Sequence, residues 1–209
     1  MTAALAPTLT VREARRQTAA VALLLPGGKA DSFDPVDRHH LAGVRMLPFA
    51  RMLGRAGRGR LAVWTLRYRV RGWNGAEMSP VEDATWALDE IRRRHGDVPV
   101  VLLGHSMGGR TAMRVAGSAS VRGVVGLAPW LPDGEPVQQL AGRRVLVIHG
   151  SADRVTSPGA SRRFVDRAAG VAAEASYIAL PGETHAMLLR ARTWHRLSTS
   201  YAVDVVGLG

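Results

Sequence analysis

The stretch of sequence that decides the fold is VVLLGHSMGGRTAM, residues 100–113. It opens with a run of Val and Leu, which is typical of a strand buried on both faces, and it continues with helical spacing. Between the two lies Gly104-His105-Ser106-Met107-Gly108. A serine in so tight a turn has a strained backbone that lifts its hydroxyl above the sheet, and the flanking glycines remove Cβ atoms that would collide. The stretch predicts a strand, a sharp turn and a helix.

Similar apolar runs recur on both sides of this stretch. They cover residues 19–25, 61–66, 98–104, 121–128, 144–150 and 175–180, and residues 8–12 are a possible edge strand. Helical spacing occurs at residues 38–56 and 80–95. Three further helices are predicted to begin at residue 106, near residue 157 and at about residue 185, and the last of them continues past residue 197. In the first of these, we expect Leu41, Val44, Leu47 and Leu53 to form the buried stripe.

Strands that alternate with helices predict an α/β fold: a three-layer α/β/α sandwich with a mostly parallel sheet of about six to seven strands. The expected organisation is an N-terminal segment, residues 1–18, followed by one α/β domain over residues 19–209. Only residues 129–142 separate the run at 121–128 from the next one. We therefore expect no cap domain and an open site.

Composition excludes several classes of protein. The 209 residues include no cysteine, which rules out disulfides, thiolate zinc sites and cysteine nucleophiles. The net charge is +11, from 28 basic and 17 acidic residues, but the charge is dispersed and no nucleic-acid motif is present. No apolar stretch is long enough to span a membrane, and the N-terminus does not read as a secretion signal. We expect a cytoplasmic protein, and the abundance of Arg, Ala and Gly suggests a bacterial source.

Three polar residues follow three of the predicted strands. Ser106 follows the run at 98–104, Asp153 the run at 144–150, and His185 the run at 175–180. Because the carboxyl ends of parallel strands share one edge of the sheet, these residues are expected to lie together. A serine nucleophile needs a histidine base that is oriented by an acid. Asp166 and Glu183 are weaker candidates for the acid, since the first is expected on a helix and the second lies too near the histidine.

The sequence resembles the α/β-hydrolase superfamily over roughly residues 19–200. The resemblance rests on GHSMGG at 104–109, HGSADRVTSP at 149–158, PGETH at 181–185, PGGKADS at 26–32 and LRYRVRGWNG at 66–75. It implies a catalytic triad of Ser106, Asp153 and His185. It also implies an oxyanion hole formed by the N–H groups of Met107 and Gly28. Pro26 stands where many members have a histidine.

Other residues at the same edge are candidates for lining the substrate site: Lys29, His105, Trp73 and Trp130. His149, at a strand end, is expected to pack or to line the site. The adjacent pair His39 and His40 points in different directions on a helix, so we expect no metal site there. No metal or organic cofactor is implied.

These features predict a serine hydrolase that cleaves small-molecule ester or thioester bonds. The first alternative is a thioesterase or acyltransferase acting on CoA- or carrier-bound acyl groups. A mouth ringed with arginines would favour it, the candidates being Arg55, Arg58, Arg67, Arg69 and Arg71. The second alternative is a non-catalytic binding module, since a fold does not fix a function. We expect no nucleic-acid or membrane partner, and the sequence leaves the oligomeric state open.

Overall fold

The computed structural model describes residues 5–37 and 40–209. Residues 1–4 of the N-terminal segment, Arg38 and His39 lie outside the described residues, so the structure does not address the interpretation of the pair His39 and His40. The strands are β1 Thr8–Arg12, β2 Ala20–Leu25, β3 Leu61–Arg67, β4 Val100–His105, β5 Val121–Leu127, β6 Arg144–Gly150 and β7 Glu174–Leu180. The helices are α1 Leu41–Ala56, α2 Ser79–His95, α3 Met107–Val115, α4 Pro158–Ala168 and α5 Ala191–Val205.

One sheet of seven strands runs through the molecule in the order β1-β3-β2-β4-β5-β6-β7. The strands are parallel except β1, which pairs antiparallel with β3 at the edge. The predicted α/β fold is confirmed, and so is the edge strand at residues 8–12. Parallel pairing aligns the carboxyl ends of β4, β6 and β7, after which Ser106, Asp153 and His185 follow.

Helices cover both faces of the sheet. The core on one face takes side chains from α2, α3 and α4, and the core on the other face takes them from α1 and α5. Strand β2 contributes to both, because Val21, Leu23 and Leu25 point to the first core while Ala22 and Leu24 point to the second. This two-sided burial explains why the strands read as continuous apolar runs.

Two helix predictions need correction. In α1 the buried residues are Met46, Phe49, Ala50 and Leu53, whereas Leu41 is 78% exposed, Val44 46% and Leu47 41%. The helix carries apolar side chains on two faces, and periodicity alone does not say which face packs on the sheet. Helix α5 begins at Ala191, so His185 lies in the preceding loop and not at a helix start.

Residues 129–142 between β5 and β6 contain only a short 3₁₀ turn, Gln138–Leu140. No cap domain is therefore present among the described residues, as the sequence predicts. No helix in the described part of the chain has the length and hydropathy needed to cross a membrane.

Candidate active site

Ser106 occupies the sharp turn between β4 and α3. Its φ of 56° and ψ of −119° lie in a strained region for a residue with a side chain. The turn depends on the two glycines. A Cβ added at Gly104 would overlap the carbonyl group of Gly108, and one added at Gly108 would overlap the carbonyl oxygens of Leu25 and Pro26. The sequence prediction for this turn is confirmed.

Asp153 lies in the loop after β6, and both carboxylate oxygens are occupied. Oδ1 accepts the main-chain N–H groups of Val155 at 2.8 Å and Thr156 at 3.0 Å. Oδ2 is 2.8 Å from Nδ1 of His185, 3.1 Å from Nε2 of His149 and 2.9 Å from Oγ1 of Thr156. The structure thus brings the predicted acid and the predicted base into direct hydrogen-bond contact.

These contacts determine the charge of Asp153. Burial alone would raise the pKa of its carboxyl. The opposing hydrogen bonds from the Thr156 N–H, the His185 ring and the Val155 N–H outweigh burial and hold the pKa below the usual range for aspartate. The carboxylate is therefore ionised at neutral pH, and it can accept the Nδ1–H of His185.

His149 is a second histidine on the same carboxylate, and it is fully buried. Burial lowers its pKa, so the ring is neutral. Its Nε2–H donates to Asp153, and its Nδ1, 2.9 Å from Oγ of Ser161, accepts the Ser161 hydroxyl. From the sequence, His149 was expected to pack or to line the site, and its contact with Asp153 was missed. The spacing of four residues between them was the available signal.

Thr156 is the other contact that the sequence did not predict. Its Oγ1 lies 2.9 Å from Oδ2 of Asp153, 3.1 Å from the carbonyl oxygen of Ala128 and 3.2 Å from Nδ1 of His185. Because its main-chain N–H also donates to Asp153, this residue holds the carboxylate from two sides. Nothing in a single sequence separates this threonine from an ordinary loop residue.

His105 supports the loop that carries His185. The two imidazole rings lie 4.7 Å apart at an interplanar angle of 41°, and His105 Nε2 is 3.2 Å from the main-chain oxygen of His185. Burial, followed by the neighbouring His185, lowers the pKa of His105 to about 3, so its neutral ring donates Nε2–H to that oxygen. The His185 side chain keeps 15% of its surface exposed, whereas His105 is buried beneath it.

The loop after β2 lies beside Ser106. A Cβ added at Gly27 would be 3.4 Å from Cβ of Ser106, and one added at Gly28 would overlap the side chain of Met107. The N–H of Lys29 donates to the carbonyl oxygen of Arg71 at 2.8 Å, which anchors this loop, while the Lys29 side chain is exposed. The loop and the start of α3 are thus adjacent, as the predicted oxyanion hole requires.

The comparisons with known proteins agree with this fold. A family model described as serine aminopeptidase, S33, matches residues 57–145, less than half of the chain. A serine hydrolase without a lid from Xanthomonas campestris superposes with a TM-score of 0.66 at 15% identity, covering 95% of this chain and 88% of its own. The chain shares the fold of this α/β serine hydrolase. No sequence among the curated proteins matches it.

Two further solved structures with this fold are an esterase and a lipase. The butyrate-bound esterase Est2 of Thermogutta terrifontis has a TM-score of 0.71 at 15% identity, over 95% of this chain and 89% of its own. The monoacylglycerol lipase of Paleococcus ferrophilus has a TM-score of 0.70 at 16% identity, over 95% and 99%. At such identities the likeness establishes the shared fold.

Two tryptophans were expected to line the site, and the structure brings them together. Trp73 and Trp130 form an edge-to-face pair with centroids 6.1 Å apart. The Arg110 guanidinium lies 3.8 Å from the Trp73 centroid and 4.6 Å from that of Trp130, and its Nε is 2.7 Å from a carboxylate oxygen of Glu135. Trp73 is buried, and the main-chain N–H of Trp130 donates to the carbonyl oxygen of Ser106 at 3.0 Å.

The five arginines do not ring the mouth of the site. Arg55 and Arg58 lie at the end of α1 and in the turn before β3, at the edge opposite the carboxyl ends. Arg67 donates to Thr8, while Arg69 pairs with Asp83 and Glu82 and Arg71 pairs with Asp37. The arrangement that would favour a phosphate-bearing acyl carrier is absent among these residues.

Proposed function

We propose that this α/β-hydrolase cleaves carboxylic esters, with Ser106 as nucleophile, His185 as general base and acid, and Asp153 as the group that orients His185. The observation that carries the proposal is the short contact between His185 Nδ1 and the ionised Asp153, at the same edge of the sheet where Ser106 occupies a strained turn. With its proton at Nδ1, His185 presents an unprotonated Nε2, which is the form that can accept the serine proton.

The reaction follows from these positions. His185 Nε2 takes the hydroxyl proton as Ser106 Oγ attacks the ester carbonyl carbon, and the carbonyl oxygen becomes an oxyanion. The N–H groups of Met107 and Gly28 stabilise that charge. His185 returns the proton to the departing alcohol, which leaves an acyl-enzyme on Ser106. Water then attacks the acyl group by the same proton transfers and releases the carboxylic acid.

Thioesters undergo the same steps, and the fold alone does not exclude them. The arginine arrangement offers no support for a CoA- or carrier-bound acyl group, because Arg67, Arg69 and Arg71 each bond to a partner within the chain. A small oxygen ester is therefore the preferred substrate class, and no metal or cofactor enters the proposed mechanism.

The test is steady-state hydrolysis of p-nitrophenyl esters from acetate to palmitate by the wild-type protein and by Ser106→Ala. We expect turnover by the wild type that the variant loses by at least about 10³-fold. A parallel assay with acyl-CoA thioesters of the same chain lengths compares the two bond types. Equal rates in wild type and variant would refute the proposal.

A further inference from the structure

The exposed face of α1 is the least expected apolar surface of the molecule. Leu41, Val44 and Leu47 follow one another at helical spacing, yet they are 78%, 46% and 41% exposed. The opposite face of the same helix supplies Met46, Phe49 and Leu53 to the core. A contiguous apolar surface that the core does not use commonly marks a binding site.

A cavity of about 570 Å³ lies against this face. Such a volume is within the range of small-molecule sites. Its walls come from α1, from the edge strand β1 and its neighbour β3, and from the loop beside Ser106. The apolar part is formed by Leu9, Pro26, Val36, Val44, Leu47 and Leu66. Asp37, His40 and Arg67 also line it, so the cavity combines an apolar wall with polar groups.

The cavity reaches the neighbourhood of the nucleophile through Gly27. Gly27 lines the cavity, and a Cβ placed on it would be 3.4 Å from Cβ of Ser106. The adjacent Gly28 is exposed and also lacks a side chain. Gly27 therefore joins the wall of the cavity to the turn that carries Ser106, within reach of an acyl chain held on that serine.

The order of the strands in the sheet indicates whether the acyl part or the alcohol part of an ester lies on the same side of Ser106 as the cavity. The strands run β1-β3-β2-β4-β5-β6-β7, and Ser106 follows β4. His185 follows β7, whereas the cavity lies toward β3 and β1. The leaving alcohol must sit near His185, because that histidine protonates it. The group that remains on the serine is the one directed to the opposite side.

We infer that the cavity between α1 and the β1–β3 edge binds the acyl chain of the substrate, and that the chain is a medium-length hydrocarbon. This inference rests on the proposed function. The apolar wall removes the chain from water, and each buried methylene raises kcat/KM by up to about fourfold. Activity should therefore increase from acetate toward octanoate.

A larger side chain substituted at Gly43 would fill the cavity. Gly43 lines the cavity, and a Cβ added to it meets no atom within 4 Å. Gly43→Phe should therefore occupy the cavity without distorting the fold, and Gly43→Ala is the matched control that leaves the volume open. The assay measures kcat/KM for p-nitrophenyl acetate, butyrate, hexanoate and octanoate with each variant.

We expect Gly43→Phe to lower kcat/KM for octanoate at least about tenfold while acetate stays within about twofold. Gly43→Ala should keep the wild-type profile. Acetate esters of alcohols of increasing length provide the second series. A chain-length profile that is unchanged in Gly43→Phe would overturn the acyl site, and so would a loss confined to the alcohol series.

Different experimental results would refute the proposed function and the proposed acyl site. If the wild type cleaves none of these esters in a Ser106-dependent manner, ester hydrolysis itself is refuted, and the acyl site with it. If Ser106-dependent cleavage is present and Gly43→Phe leaves the acyl profile unchanged, only the acyl site is refuted. Equal thermal unfolding of the two Gly43 variants controls for loss of structure.

Discussion

Replacing Asp153 with asparagine tests how the carboxylate controls the proton on His185. In the wild type, Oδ1 accepts two main-chain N–H groups, from Val155 and Thr156. These two donors cannot face an amide nitrogen, so the carbonyl oxygen of an asparagine must occupy the Oδ1 position. Its NH₂ group then takes the Oδ2 position, which faces the rings of His185 and His149.

An NH₂ group at that position donates to His185 Nδ1, which must then accept. The ring proton moves to Nε2, where it prevents His185 from accepting the proton of Ser106. We expect kcat to fall on the order of 10³–10⁴-fold, equivalent to about 4–5.5 kcal/mol in the activation free energy. Stability should change less than activity, because the two histidine nitrogens can accept the two amide hydrogens, and the Thr156 hydroxyl, which loses Oδ2 as its acceptor, can donate to the carbonyl oxygen of Ala128 at 3.1 Å.

The assay combines ester hydrolysis with thermal unfolding. Asp166→Asn is the matched control, since Asp166 lies on α4 with an exposed ion pair to Arg162 and should tolerate the change without loss of kcat. A folded Asp153→Asn protein that retains more than about a tenth of the wild-type kcat would show that the carboxylate does not set the proton position on His185.

Three further predictions follow from the contacts around the turn and the two buried histidines. Gly108→Ala places a methyl group on the carbonyl oxygen of Leu25, so we expect a clear drop in melting temperature together with loss of ester hydrolysis; wild-type values for both would contradict the account of the turn. His149→Phe removes a hydrogen bond to a charged group, so kcat should fall about tenfold with KM unchanged, and full activity would show that this histidine only packs. Stability should fall as pH drops below about 6.5, because burial lowers the pKa of His105 to about 3 and the unfolded chain binds a proton that the folded chain excludes. Urea unfolding should show a stability that is lower at pH 5 than at pH 7 by about 2 kcal/mol from this histidine, and equal stabilities would exclude the effect.

Much of the fold could be predicted because its signals are local. The parallel strands are buried on both faces, so they read as short apolar runs, and the turn at Ser106 needs glycines at two fixed positions. The alternation of strands and helices is enough to predict that the residues following β4, β6 and β7 lie close together. The contact between His185 and Asp153 is the geometric consequence.

The predictions that failed concern packing between segments that are distant in the sequence. Periodicity placed Val44 and Leu47 in the core, but the helix carries two apolar faces and the sheet contacts the other one. The contacts of His149 and Thr156 with Asp153 depend on the path of the loop after β6, and the only sequence signal was the four-residue spacing between His149 and Asp153. That the misassigned stripe lies beside the cavity near Ser106 fits the general tendency of local rules to fail at functional sites.

Covalent labelling by a fluorophosphonate tests the central claim most directly, because it reports the reactivity of the nucleophile without requiring the natural substrate. The account predicts a single phosphonyl adduct, located by mass spectrometry on Ser106, formed by the wild type and absent in Ser106→Ala. Labelling should also become much slower in His185→Ala, which lacks the base. Failure of the folded wild type to label, or labelling that persists in Ser106→Ala, would contradict the assignment of Ser106 as an activated nucleophile.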